Sequence, residues 1–194
     1  QAMAAKKDPY GGQTRVALLA SSGGTDPRSP EEVEMFLRFV LPEDREAVAA
    51  LLSEAFPTSE EALLVGRLRD AGDMVVELVA VIDGTIQGYV GFARHYAPKG
   101  WVSLSPLAVA RKYRRHGVGG ELVRYGLDFV RRQKAEAITV LGDSRYYRRF
   151  GFTHKAAENL TSPFPEEHTL LYPIAPGSAG TRAELVYADA FMRF

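Results

Sequence analysis

The 194-residue chain carries 24 Lys and Arg, 24 Asp and Glu and no cysteine, so it can bury a core without staples and has no disulfide, thiolate metal site or cysteine nucleophile. No apolar run approaches the roughly 20 residues of a membrane span, and nothing marks an oxidising compartment, so a cytoplasmic location is expected. The formal net charge of zero conceals an asymmetry: Arg111 to Lys155 holds 12 Lys and Arg against 4 Asp and Glu, leaving 12 against 20 elsewhere, which points to an anionic ligand on the basic part and speaks against a nucleic-acid surface. The bland alternative for the arginines is a solvated helix face.

Residues 1–32 are rich in Gly, Ser, Pro and Lys without sustained periodicity and are expected to form a mobile extension, with a single domain over 33–194. Gln1-Ala2 ahead of Met3 reads as a cloning remnant, and Val16 to Ala20 could add one short strand. Met35 to Leu41 predicts a first strand. Pro42 with Glu43 and Asp44 opens a helix to about Phe56, whose face carries Val48, Leu51, Leu52, Ala55 and Phe56. Ser59 is expected to cap a second helix that buries Leu64, Val65 and Leu68 and turns Arg67 and Arg69 outward. Val75 to Ile82 and Ile86 to Tyr96 read as strands joined by a tight hairpin at Asp83-Gly84. Trp101 to Val109 is the next strand. Pro106 within it cannot donate to a ladder, which predicts a bulge or an edge.

Leu107-Ala108-Val109-Ala110-Arg111-Lys112-Tyr113-Arg114-Arg115-His116-Gly117-Val118-Gly119-Gly120 reads as a strand end, a basic turn, paired glycines and the start of a helix. Such a turn makes an anion site: glycines let a ligand approach closely while the first helical turn aims unpaired N–H groups at it. The helix, from about Val118 to Gln133, should bury Val118, Leu122, Val123, Leu127, Phe129 and Val130 and expose Glu121, Arg124, Asp128, Arg131 and Arg132. Ala137 to Leu141 is a strand, and Asp143 is placed to cap a short helix through Phe150. Thr169 to Tyr172 and Glu184 to Tyr187 predict a closing hairpin. A third glycine for a dinucleotide fingerprint is missing after Gly119, and neither Gly-Lys-Ser/Thr nor Gly-x-Ser-x-Gly occurs. His95, His116, His154 and His168 lack metal-ligand spacing, so no metal is expected.

Arg114-Arg115-His116-Gly117-Val118-Gly119 resembles the Gln/Arg-x-x-Gly-x-Gly/Ala loop of the GNAT superfamily of N-acetyltransferases, and it follows a Leu-x-Val strand as in that family. Tyr146-Tyr147-Arg148-Arg149-Phe150-Gly151-Phe152 resembles the Tyr-x-x-x-Gly-Phe segment of the same family, with Tyr147 in the tyrosine position. Leu-Gly-Asp-x-x-Tyr-Tyr-x-Arg-Phe-Gly-Phe is similar to a bacterial subgroup of predicted acetyltransferases. The resemblance spans about Phe36 to Phe194. It implies an α/β fold, a mixed and mostly antiparallel sheet flanked by helices, and acetyl-CoA as co-substrate. It further implies that the strand containing Pro106 splays from its neighbour to admit the pantetheine arm beside Leu107, Ala108 and Val109. The pyrophosphate would then lie on the loop Arg114, Arg115, His116, Gly117, Val118, Gly119 and Gly120. Direct attack by an amine in a ternary complex is implied, with Tyr147 protonating the leaving thiolate; Tyr146 facing the ligand in its place is the alternative.

Two departures from the family's pattern stand out. The strand Trp101 to Val109 has no carboxylate, although a glutamate there often serves as base; Ser103 and Ser105 are poor substitutes, and Glu77, Glu54 or His95 could act through water. The Gly142-Asp143-Ser144-Arg145 link is short. A small-molecule amine or a peptide amine remains open as acceptor, as do a protein-lysine acetyltransferase, a non-catalytic acyl-CoA sensor and a homodimer. Neither a nucleic acid nor a membrane is expected as partner.

Overall fold

A computed structural model describes residues 13–19 and 32–193. Within the segment read as an extension, β1 (Thr14–Leu19) forms a strand starting two residues before the one foreseen, and Glu32 opens β2 (Glu32–Phe39). The rest of residues 1–32, and Phe194, lie outside the described residues. The chain continues through α1 (Arg45–Ala55), α2 (Glu60–Asp70), β3 (Met74–Ile82), β4 (Thr85–Arg94), β5 (Trp101–Val109), α3 (Val118–Arg132) and β6 (Ala137–Leu141). It ends with α4 (Ser144–Tyr147), α5 (His154–Ala157), β7 (Leu160–Thr161), β8 (Thr169–Pro173) and β9 (Ala183–Glu184).

Seven strands form one sheet in the order β1-β2-β3-β4-β5-β6-β8. All neighbours run antiparallel except β5 and β6, so the sheet is mixed and mostly antiparallel. The β3-β4 turn has Asp83 at φ 50° and Gly84 at φ 74°, the left-handed pair that a two-residue hairpin requires. α3 covers one face, where Leu122, Val123 and Val130 pack with Phe92, Leu104, Ile138 and Leu170. It lies close because Gly126 has no side chain; a Cβ there would sit 2.2 Å from the Phe92 ring. α1 covers the other face, with Val48, Leu51 and Leu52 against Val79, Tyr89 and Ala108.

Several expectations are corrected. The first helix opens with a 3-10 turn, Pro42–Asp44, and Asp44 is buried there. Its carboxylate accepts from Arg38 Nη2 at 3.0 Å and from the Leu41 N–H at 2.7 Å; the Arg38 hydrogen bond holds it below the usual carboxylate range. Ser59 precedes α2 without a side-chain cap; the Thr58 hydroxyl accepts from the Glu60 N–H instead, at 3.3 Å. Arg67 and Arg69 are not outward but half-buried. β9 pairs with β7 in a separate two-stranded sheet while β8 pairs with β6, so Thr169 to Tyr172 and Glu184 to Tyr187 do not make a hairpin. The C-terminal stretch instead packs Leu185 and Tyr187 onto Trp101 and Leu171.

Candidate active site

The site begins with a change of phase in β5. Val90 faces Leu107 and Phe92 faces Leu104, so Gly91 of β4 alone opposes both Ser105 and Pro106 of β5, which is the extra residue of a bulge, as Pro106 predicts. Beyond it β5 loses one partner. The parallel pairing with β6 runs from Trp101↔Ala137 to Leu104↔Val140 and stops, whereas Leu107, Ala108 and Val109 still pair with β4. The Ala110 N–H donates to the carbonyl of Gln87 in β4 at 2.8 Å. Strand alternation therefore turns the amides of Leu107 and Val109 to the opposite edge, where the gap is.

The turn after β5 delivers the chain to the N-terminus of α3. Arg115 has φ 66° and Gly117, the N-cap residue, φ 84°. For Gly117 the requirement is this left-handed backbone, because a Cβ would meet nothing within 4 Å. For Gly119 the requirement is space. A Cβ there would lie 2.9 Å from the Tyr146 hydroxyl, 3.5 Å from Val109 and 3.8 Å from Leu107. Strand, loop and tyrosine segment thus meet at one helix end whose first N–H groups have no partner inside the helix. Around it Arg111, Lys112, Arg114 and Arg115 are exposed, as the charge asymmetry foresees. Arg114 is tied back by its Nε to the Val109 carbonyl at 3.2 Å and by Nη2 to the Ala55 carbonyl at 3.4 Å. His116 is half-buried. Val118 and Ala108 are buried in the core, so only their backbone can serve a ligand.

The two tyrosines occupy different parts of the gap. Asp143 caps α4 by accepting from the Arg145 N–H at 2.8 Å, which fixes the short link. Tyr146 then points its hydroxyl at α3, with the Arg149 guanidinium 4.6 Å above its ring. Burial raises the Tyr146 phenol, and Arg149 and Arg124 pull it back. Tyr147 lies at the end of β6: a Cβ at Gly142 would be 2.5 Å from its ring, and Phe152 stacks edge-on at 5.7 Å. Burial, with Tyr146 adding to it, raises the Tyr147 phenol strongly, so the proton stays on it at neutral pH.

Where β5 and β6 part, a cleft of about 220 Å³ opens on the α2 side, between Glu60 and Glu61 of α2, Ser103 and Ser105 of β5, and Leu141 of β6. The three groups considered as bases are elsewhere engaged or exposed. Glu77 accepts from Arg69 Nε at 3.0 Å on both oxygens and from the Tyr89 hydroxyl at 2.7 Å. His95 is 3% exposed with Nε2 2.7 Å from Thr139 Oγ1, and burial lowers it to about 4. Glu54 is exposed on α1. Sequence reasoning passed over Glu61. Its only local signal is an acid in the first turn of a helix, which dipole complementarity explains without function. Among the described residues no group of three His, Asp or Glu could hold a metal, and no helix is long and apolar enough to cross a membrane.

Comparison with known proteins agrees with this architecture. Residues 43–152 match the Acetyltransferase (GNAT) family. The N-acetyltransferase YhbS of Escherichia coli strain K12 is 38% identical over 167 residues, covering 82% of this chain and all of the relative. The crystal structure of E. coli YhbS in complex with CoA superposes with a TM-score of 0.78 at 34% identity, over 88% of this chain and 97% of that one. A GNAT family acetyltransferase from Brucella melitensis in complex with acetyl-CoA gives 0.70 at 28% identity, over 81% and 97%. A splayed β5, a glycine-capped α3 and these relatives lead to one conclusion: the chain belongs to the GNAT family of N-acetyltransferases.

Proposed function

We propose that the chain moves an acetyl group from acetyl-CoA to an amine by direct attack in a ternary complex, and that residues 33–194 carry this activity. The observation that carries the reading is the loss of the β6 partner beyond Leu104, in line with the bare N-terminus of α3. A pantetheine arm between the two points would pair with the Leu107 and Val109 amides. Its pyrophosphate would rest on the N–H groups at Gly117 to Gly120, among Arg114, Arg115 and His116. That two structural relatives were solved with CoA and acetyl-CoA supports CoA as the ligand.

An N–H at the bulge would stabilise the tetrahedral oxyanion, a contribution of roughly 3 kcal/mol for one donor. Tyr147 is assigned the proton for the leaving thiolate. Gly142, against which its ring packs, adjoins Leu141 of the cleft, whereas Tyr146 meets Gly119 at the phosphate end. An arm running from α3 to the cleft would therefore bring its sulfur to Tyr147.

Acetyl-CoA should raise the thermal unfolding midpoint of the wild type, and Gly117→Glu or Gly119→Glu should abolish that rise. An unchanged rise in both variants overturns the loop assignment. The missing carboxylate on β5 favours one second reading, a module that retains CoA without turnover. Release of free thiol from acetyl-CoA on adding an amine decides against it.

A further inference from the structure

The cleft on the α2 side has a chemistry of its own. Two carboxylates, Glu60 and Glu61, stand at one end, and none of its lining residues is Lys or Arg. Leu64, Leu104, Phe164 and Phe191 make the remainder largely apolar. Glu61 is half-buried, and its Oε2 is shut off from solvent with no hydrogen-bond partner. A buried polar atom left in that state costs about 1–3 kcal/mol, and more when charged, and of the atoms so left in the described residues, that of Glu61 alone belongs to the lining of the cleft. Glu77, on the same side of the sheet, has both oxygens satisfied. Glu61 lines the cleft with a carboxylate whose donors are incomplete, and a cleft with no cation in its lining calls for a positively charged one.

Size and lining narrow the class. At about 220 Å³ the cleft is smaller than the roughly 300–1,000 Å³ of pockets for drug-sized ligands, and so suits one ring or a short chain. A peptide would bring backbone amides that its leucines and phenylalanines could not satisfy. We infer that the cleft takes a small primary amine with an apolar body and that Glu61 receives its ammonium group and then one of its protons. This deepens the acetyl-transfer reading and rests on it.

The step balances as follows. The ammonium gives one proton to Glu61, and the freed lone pair forms the C–N bond at the thioester carbonyl. Collapse of the tetrahedral intermediate breaks the C–S bond, and the thiolate takes the proton of Tyr147. The second proton leaving nitrogen replaces that of Tyr147, and Glu61 releases its own to solvent, so the products are the acetamide, CoA thiol and one proton.

The test uses the full chain with acetyl-CoA and two probe amines, 2-phenylethylamine and n-hexylamine, with phenylalanine as the carboxylate-bearing comparison. Both amines should release thiol, with kcat/KM at least tenfold above that for phenylalanine. Glu61→Gln should lower kcat/KM for the amines by about 10²-fold or more while the acetyl-CoA thermal shift stays at the wild-type value, and Glu61→Asp should recover part of the loss. The inference is overturned by Glu61→Gln activity within threefold of wild type, by phenylalanine equalling the amines, or by no turnover of either amine. If acetyl-CoA fails to stabilise the wild type, the acetyl-transfer reading itself falls, which is a distinguishable result.

Discussion

Glu77 and Glu61 lie on the same side of the sheet, under α2 and in its first turn, and meet opposite fates. Glu77 is enclosed by Arg69 and Tyr89, so both of its oxygens have a donor. Glu61 has an oxygen that no protein group answers. Both are glutamates near one helix, and what separates them is the complement of donors around each. Tyr89 and Tyr147 repeat the contrast among phenols. The Tyr89 hydroxyl is engaged by Glu77, and burial followed by that carboxylate raises its phenol; Tyr147 is raised by burial and Tyr146, with no hydrogen bond in the balance. Glu77 and Tyr89 answer one another inside the fold, whereas Glu61, in the lining of the cleft, keeps an oxygen without a donor.

Removing Arg69 gives the largest expected effect. Arg69→Ala leaves the Glu77 carboxylate without its cation, and breaking such a buried pair costs about 3–5 kcal/mol, readable as a drop in the urea midpoint. Glu61→Gln should not lower that midpoint, because it takes a charge away from an oxygen that has no donor. Equal losses in the two would dissolve the contrast.

His95 sharpens it from another side, being saturated at Nε2 yet buried neutral. Burial depresses it from its ordinary 6.5 to about 4, so between these values the unfolded chain binds the proton and the folded one does not. Stability is full above pH 6.5 and falls as the pH drops towards 4, by about 3 kcal/mol in all at roughly 1.36 kcal/mol per unit. Urea unfolding at stepped pH should show that slope, and His95→Leu should flatten it.

The smallest of the three effects belongs to Tyr147. Tyr147→Phe should reduce kcat by about 10²-fold, the lower end for a general acid, while Tyr146→Phe stays within a few fold. A Tyr147→Phe enzyme with full turnover would transfer the acid role away from it.

Much of this was legible in the chain itself. Trp101–Val109 and Ala137–Leu141 have the ends that their patterning predicts, because both are apolar runs bounded by turn residues. The hairpin at Asp83-Gly84 and the buried stripe of α3 follow from local chemistry, and Pro106 marks the bulge because a missing N–H is a property of one residue. What stayed hidden depends on contacts distant in sequence. Arg69 reads as a surface arginine until β3 brings Glu77 beneath it. β8 and β9 read as a hairpin until β6 and β7 compete for them. Glu61 is one more acid at a helix start; only the partition of donors around it, set by tertiary packing, distinguishes it from Glu60 or Glu77.

The extra residue at Ser105-Pro106 also separates two design problems. By shifting the alternation of β5 by one position, it puts Leu104 and Leu107 on the same face, so the strand before the bulge serves the cleft and the strand after it serves the gap. Side chains on the two stretches can therefore vary independently. On the proposed placement of acetyl-CoA, a lineage could exchange Ser103, Leu141 or Phe191 to admit a new acceptor while the backbone of Leu107 and Val109 went on serving the donor, and the bulge would be the joint that lets one half change without the other.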